Sequence, residues 1–134
     1  FSGIGFGSAD YCASTGGDMG KASLAYGRGK IINAAALYNT LALDGVWLDF
    51  RDPDGCREET LYVKTMGFKG RFAIHPDQIK PIHDAYRPTT EELEWAKGVL
   101  EEAKTAGSGA FKYQGKMVDA PVLAVARLII SRED

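Results

Sequence analysis

Three short apolar runs alternate with stretches of helical spacing over residues 1–86. Ile4–Phe6 reads as a buried strand that breaks at Gly7-Ser8-Ala9 and delivers one carboxylate, Asp10, at the break. Gly16, Gly17 and Gly20 mark 15–20 as a loop. Leu24, Ile31, Ile32, Ala35 and Tyr38 share one helical face and predict a helix over about 21–43, ended by Asp44-Gly45. Gly27 and Gly29 weaken that helix by roughly 1 kcal/mol each relative to Ala. Glycines at that cost often mark close packing against a sheet, or the chain bending past a neighbour. Val46–Phe50 is the second expected strand, followed by the turn-rich Arg51-Asp52-Pro53-Asp54-Gly55. A short helix follows over 56–66, with Leu61, Thr65 and Met66 inward and Gly67 closing it. Phe68–Ile74 is the third expected strand, stopped by His75-Pro76. The next helix, over about 77–85, is broken in its middle by Pro81.

Strand and helix thus repeat three times, with about thirty residues per unit, which means parallel strands joined by crossover helices. Two architectures fit, an open doubly wound sheet or part of a (βα)8 barrel. Three units are too few to close a barrel, which takes about 250 residues.

The tail has a different pattern. Tyr86-Arg87-Pro88 reads as a linker, and Thr89 with Glu92 forms a capping box. Leu93, Ala96, Leu100 and Ala103 then make one helical stripe, ended by Ala106-Gly107-Ser108-Gly109. Ala110–Tyr113 and Lys116–Val118 flank Gln114-Gly115 as a tight hairpin. Asp119-Ala120-Pro121 opens a last helix with Val122, Leu123, Ala126 and Ile130 inward. This helix–hairpin–helix segment, 87–134, is no βα unit and needs a scaffold or another subunit to dock on.

Composition narrows the class. The chain has 134 residues, 45% hydrophobic and 25% charged, as in an ordinary globular domain. A net charge of −2, with both signs mixed along the chain, argues against a nucleic-acid partner. Cys12 and Cys56 form no close pair and no metal spacing, which fits two core thiols in a reducing compartment. No apolar run approaches the roughly 20 residues of a membrane span. The chain opens without Met at the threshold of a strand, so it is expected to be the C-terminal part of a longer protein.

In parallel α/β proteins the chemistry collects where strands end. Asp10 follows the first expected strand. Asp49, Asp52 and Asp54 surround the end of the second, and His75 follows the third. Carboxylates on one such rim suit a hard divalent cation such as Mg²⁺. Each residue also has a plainer role. Asp10 can cap the next helix, Asp52 and Asp54 are turn formers, Asp49 can pair with Arg51 or Arg71, and His75 can cap its loop. Asp119 before Pro121 is a helix N-cap in pattern, and such an oxygen can also face a cleft. There is no Gly-rich nucleotide fingerprint, P-loop, serine elbow or zinc spacing.

Five segments taken in order resemble one family. They are Phe6–Tyr11 (FGSADY), Gly45–Gly55 (GVWLDFRDPDG), Gly67–Ile79 (GFKGRFAIHPDQI), Arg87-Pro88-Thr89, and Lys116–Val122 (KMVDAPV). Together they are similar to the citrate lyase β-subunit-like family, which includes malyl-CoA lyases. The resemblance implies the C-terminal half of a (βα)8 TIM barrel over 1–86, and a lid or oligomerisation segment over 87–134. It implies a Mg²⁺-dependent carbon–carbon lyase acting on a malyl-, citramalyl- or citryl-type acyl-CoA and a short 2-oxo acid, with coenzyme A as part of the substrate. Breaking that carbon–carbon bond leaves an enolate, whose charge the metal stabilises.

By position, Asp10 is the expected metal ligand, and the backbone of Gly7, Ser8 and Ala9 is expected to meet the substrate carboxylate. Ile74, His75 and Pro76 are expected to line the coenzyme A approach. Asp119 is the expected acid/base, carried on the lid of a trimer or a pair of trimers over a neighbouring subunit's site. A second ligand, a Glu, and a substrate-gripping Arg would lie before Phe1, in the missing N-terminal barrel half. A thioesterase of the same fold and a non-catalytic subunit of a citrate lyase complex are the competing readings. The resemblance places the protein in the cytoplasm, or in the mitochondrial matrix if the source is eukaryotic.

Overall fold

The computed structural model describes residues 2–107 and 109–133. Phe1, the Ser108 of the expected helix-ending loop, and Asp134 lie outside them. The chain divides into two compact units, Phe1–Tyr86 and Arg87–Asp134.

The first unit is built on three parallel strands, β1 (Gly3–Gly5), β2 (Leu41–Asp44) and β3 (Gly70–Arg71), in the spatial order β1-β2-β3. Gly3 pairs with Leu41 and Gly5 with Leu43, while Leu43 pairs with Gly70 and Asp44 with Arg71. Side chains alternate across a strand. Ala42 and Asp44 on β2 are therefore buried on one face, while Leu41 on the other is half exposed. That second face also carries Gly5, whose missing side chain admits the Phe72 ring. A Cβ there would sit 2.6 Å from Phe72 Cε2.

Helices α1 (Ser8–Thr15), α2 (Lys21–Leu37), α3 (Pro53–Met66) and α4 (Ile79–Tyr86) connect and follow the strands. The core of this unit gathers Phe6, Cys12, Leu24, Ala35, Ala42, Val63 and Phe68. Cys12 and Cys56 are both buried and free, as the composition implied. Among the described residues, no helix is long and apolar enough to cross a membrane.

Several boundaries differ from the sequence reading, each for a local reason. The stretch 8–15 is a helix, closed by Gly16 at φ 73°. Helix α2 stops at Leu37 because Asn39 takes a left-handed conformation, φ 47°, and turns the chain. The second strand is therefore Leu41–Asp44, and Val46–Phe50 is the loop beyond it, with Leu48 and Phe50 exposed. Helix α3 begins at Pro53, capped by Asp52, which accepts from the Gly55 N–H at 2.9 Å. It turns Cys56, Glu59, Thr60 and Val63 inward, not Thr65, which is exposed. The third strand is only Gly70–Arg71. Pro81 interrupts nothing, since it sits in the first turn of α4, where its N–H is not needed.

The second unit follows its pattern closely. Thr89 and Glu92 form the capping box of α5 (Thr90–Ala106). Strands β4 (Phe111–Tyr113) and β5 (Lys116–Val118) pair through Gln114-Gly115, whose φ values of 45° and 78° are those of a tight hairpin turn. Helix α6 (Ala120–Ile130) then packs on α5 around Ala96, Val99, Val118 and Ala126.

The two α2 glycines differ in kind. A Cβ on Gly27 would fall 2.8 Å from Phe6 Cζ, whereas nothing lies within 4 Å of one on Gly29. In the intact protein, Gly27→Ala should lower the urea midpoint, while Gly29→Ala should raise stability by about 1 kcal/mol. Equal effects at the two positions would contradict this packing.

Candidate active site

Parallel strands send their C-terminal ends to one rim, and three loops meet there. After β1, Phe6 is buried and its carbonyl accepts from the Ser8 N–H at 3.0 Å. Ser8 is 2% exposed and pressed against Gly45, the first residue after β2. A Cβ on Gly45 would lie 2.1 Å from Ser8 Oγ, so this approach requires glycine. Ser8 Oγ finds no partner among the described residues.

Asp10 stands in the first turn of α1, where a negative charge favours a helix N-terminus. It does not cap the helix, since Gly7 is the cap residue. Its carboxylate is exposed and folds over Gly7, with Oδ2 3.1 Å from where a Gly7 Cβ would be. No ion pair or hydrogen bond engages that carboxylate among the described residues.

The loop after β2 is held from the side of β3. Arg71 Nε donates to Gly45 O at 2.9 Å, and Gln78 Nε2 donates to Trp47 O at 2.7 Å. Asp49 is exposed, lies beyond the strand, and accepts from the Arg51 N–H at 3.0 Å. It pairs with neither guanidinium, and Arg71 is committed to Asp44, Glu59 and Gly45 O. After β3, His75 Nδ1 accepts from the Asp77 N–H at 3.2 Å, so His75 does cap its turn. Its ring stacks on Phe50 at 4.7 Å.

Beneath the rim lies a buried ionic quartet that no sequence motif signalled. Arg28 of α2 donates twice to Asp44, from Nε at 3.1 Å and Nη2 at 3.0 Å, and once to Glu59 at 2.9 Å. Arg71 Nη2 lies 3.0 Å from Asp44 and 3.1 Å from Glu59. Two cations and two anions thus compensate inside the helix-side core. Burial alone would lower the Arg28 pKa, but the hydrogen bonds and charges of Asp44 and Glu59 outweigh it and raise the pKa. Burial raises the neighbouring Cys56 thiol, which keeps it neutral and inert. Arg28, Glu59, Met19, Trp47, Leu48 and Asp49 border a cavity of about 280 Å³ that does not include Asp10.

The rim therefore brings together Gly7, Ser8, Ala9 and Asp10 at one strand end and Ile74, His75 and Pro76 at another. Asp119 belongs to the second unit, where it caps α6 by accepting from the Val122 N–H at 3.4 Å and is exposed. Among the described residues, no three His, Cys, Asp or Glu side chains converge as a metal cage.

Residues 29–133 match the family model described as the C–C bond lyase of the TIM-barrel fold. The chain belongs to this family. Its three βα units are thus part of a (βα)8 barrel, not of an open doubly wound sheet. The mitochondrial citramalyl-CoA lyase of Rattus norvegicus is 37% identical over 131 residues, 94% of this chain and 39% of that protein. The citrate lyase subunit beta-like protein of Mycobacterium tuberculosis is 39% identical over 137 residues, 97% of this chain and 50% of that protein. The chain therefore spans half or less of the length of these relatives. The crystal structure of the protein CitE from Mycobacterium tuberculosis, in complex with magnesium, acetoacetate and coenzyme A, superposes with a TM-score of 0.81 at 36% identity. That match covers 98% of this chain and 52% of the crystallised one.

Removing one member of the quartet should leave buried charge unpaired. In the intact lyase-family protein, Asp44→Leu should cost about 3–5 kcal/mol, while the exposed Arg51→Ala should stay within about 1 kcal/mol. Comparable midpoints for the two variants in urea would contradict the quartet's role.

Proposed function

We propose that the protein containing this chain is a Mg²⁺-dependent carbon–carbon lyase. Its substrate is a 3-hydroxyacyl-CoA of the malyl, citramalyl or citryl type, which it cleaves into, or makes from, an acyl-CoA and a short 2-oxo acid. The observation that carries this reading is Asp10, a free, exposed carboxylate on the strand-end rim of a lyase-family barrel. Mg²⁺ takes hard oxygen ligands, often one or two carboxylates with water and substrate completing the shell. Asp10 fits as one such ligand, and a second is assigned to the part of the protein before these residues. When bound, the ion supplies Lewis-acid polarisation of the oxo acid's carbonyl.

The chain's own groups have separate tasks in this reading. Gly7 leaves the backbone open, and Ala9 offers a first-turn N–H without an intrahelical partner to a substrate carboxylate. Ser8 N–H is already turned onto Phe6 O, so Ser8 serves by packing the turn against Gly45. Ile74, His75 and Pro76 form the rim segment that meets the coenzyme A portion. Asp119 moves a proton from the second unit, which acts as a lid over a neighbouring subunit in a homotrimer or a hexamer. Its weak capping bond leaves one oxygen available for that role.

The test is an assay of the intact protein with malyl-CoA and Mg²⁺. The lyase releases glyoxylate, and Asp10→Ala abolishes the release. Asp119→Asn keeps a capping oxygen but cannot exchange a proton, so kcat should fall about 10²- to 10⁴-fold with KM nearly unchanged. Malate and free coenzyme A without glyoxylate would make the protein a thioesterase. Turnover only of carrier-bound substrate would make it a subunit of a citrate lyase complex.

A further inference from the structure

Gln78 is an uncharged side chain buried to 1% exposure, in the one-turn 3-10 helix Pro76–Gln78 that follows the third rim loop. Both ends of its amide are used. Oε1 accepts from the Ile74 N–H at 2.9 Å, and Nε2 donates to Trp47 O at 2.7 Å. Reversing the amide would set donor against donor and acceptor against acceptor, so its orientation is forced. Ile74 stands in the loop after β3, and Trp47 in the loop after β2. One side chain therefore ties the backbones of two rim loops directly to each other.

Two neighbours show what the tie maintains. Arg71 makes a parallel link closer to the sheet, through Gly45 O at 2.9 Å. Farther along the same two loops, the Phe50 and His75 rings stack with 24° between their planes. A groove of about 630 Å³ lies against the outer ends of these loops, bordered by Phe50, Arg51, Pro53, Pro76, Asp77 and Lys80.

We propose that Gln78 is a positioning residue, a strut that holds the loops after β2 and β3 as one wall for thioester recognition. It touches no substrate itself. The substrate named here rests on the lyase reading, whereas the strut rests on the two hydrogen bonds. An apolar replacement would leave the Ile74 N–H and the Trp47 carbonyl without their buried partner, and the loops would separate to find water.

The experiment uses the intact protein with Gln78→Leu and Gln78→Glu. Hydrogen exchange should quicken in both loops, 46–50 and 73–76, while α5 stays as protected as in the wild type. KM for malyl-CoA should rise about fivefold with kcat within about twofold, the scale of one lost hydrogen bond. The Glu variant should regain wild-type KM as pH falls and its buried carboxyl takes up the proton that can donate to Trp47 O. A merely structural role would lower the melting temperature and the active fraction without moving KM. Unchanged exchange in both loops overturns the strut, and a loss confined to kcat overturns its positioning role. Wild-type protein inert towards every acyl-CoA would sink the lyase reading, and exchange would then decide the strut alone.

Discussion

The first unit depends on four compensating charges buried between sheet and helices. Arg28, Asp44, Glu59 and Arg71 come from α2, β2, α3 and β3, so each contributes a different element to one contact. A core of leucines could hold the same elements with more tolerance for sliding, since apolar contacts are non-directional. Guanidinium and carboxylate groups impose distance and angle, and an unpaired member is costly in a dry interior. The quartet thus fixes the end of β2 relative to the end of β3. From there Arg71 reaches on to Gly45 O, the first carbonyl of the loop beyond.

That arrangement explains why the rim is ordered without long strands. Strand β3 has two residues and β1 has three, too few for the ladder alone to set their loops. Side chains finish the task. Ser8 is wedged against Gly45, Gln78 spans two loops, and His75 lies on Phe50. Asp10 is left with no structural partner among the described residues, on the rim where strand ends of a barrel converge. A carboxylate bound into the fold would have little left to offer an ion.

Much of this was legible in the residues. The repeated βα order, the capping box at Thr89 and Glu92, the Gln114-Gly115 hairpin and the Asp119 cap all follow from local chemistry, and the structure has each of them. The misplaced second strand shows where local reading ends. Leu41–Asp44 and Val46–Phe50 are both short apolar runs after a helix, and periodicity cannot separate them. Asn39 was the available signal, as a residue that tolerates a left-handed turn. The quartet was hidden by separation, with Arg28 lying 16 residues from Asp44 and 31 from Glu59. An arginine on the apolar side of a helix was the only trace of it. The proposed coenzyme A contact of Ile74, His75 and Pro76 and the proposed acid/base role of Asp119 rest on resemblance to a family, and spacing alone would not have supplied them.

The proposed metal ligand, Asp10, is a carboxylate with no partner among the described residues. Crystals of the intact protein grown with Mn²⁺ in place of Mg²⁺ and measured at the manganese edge test this most directly. An anomalous peak is expected about 2.1 Å from an Asp10 carboxylate oxygen. A peak elsewhere in the protein, with Asp10 turned only towards its own helix, would contradict it.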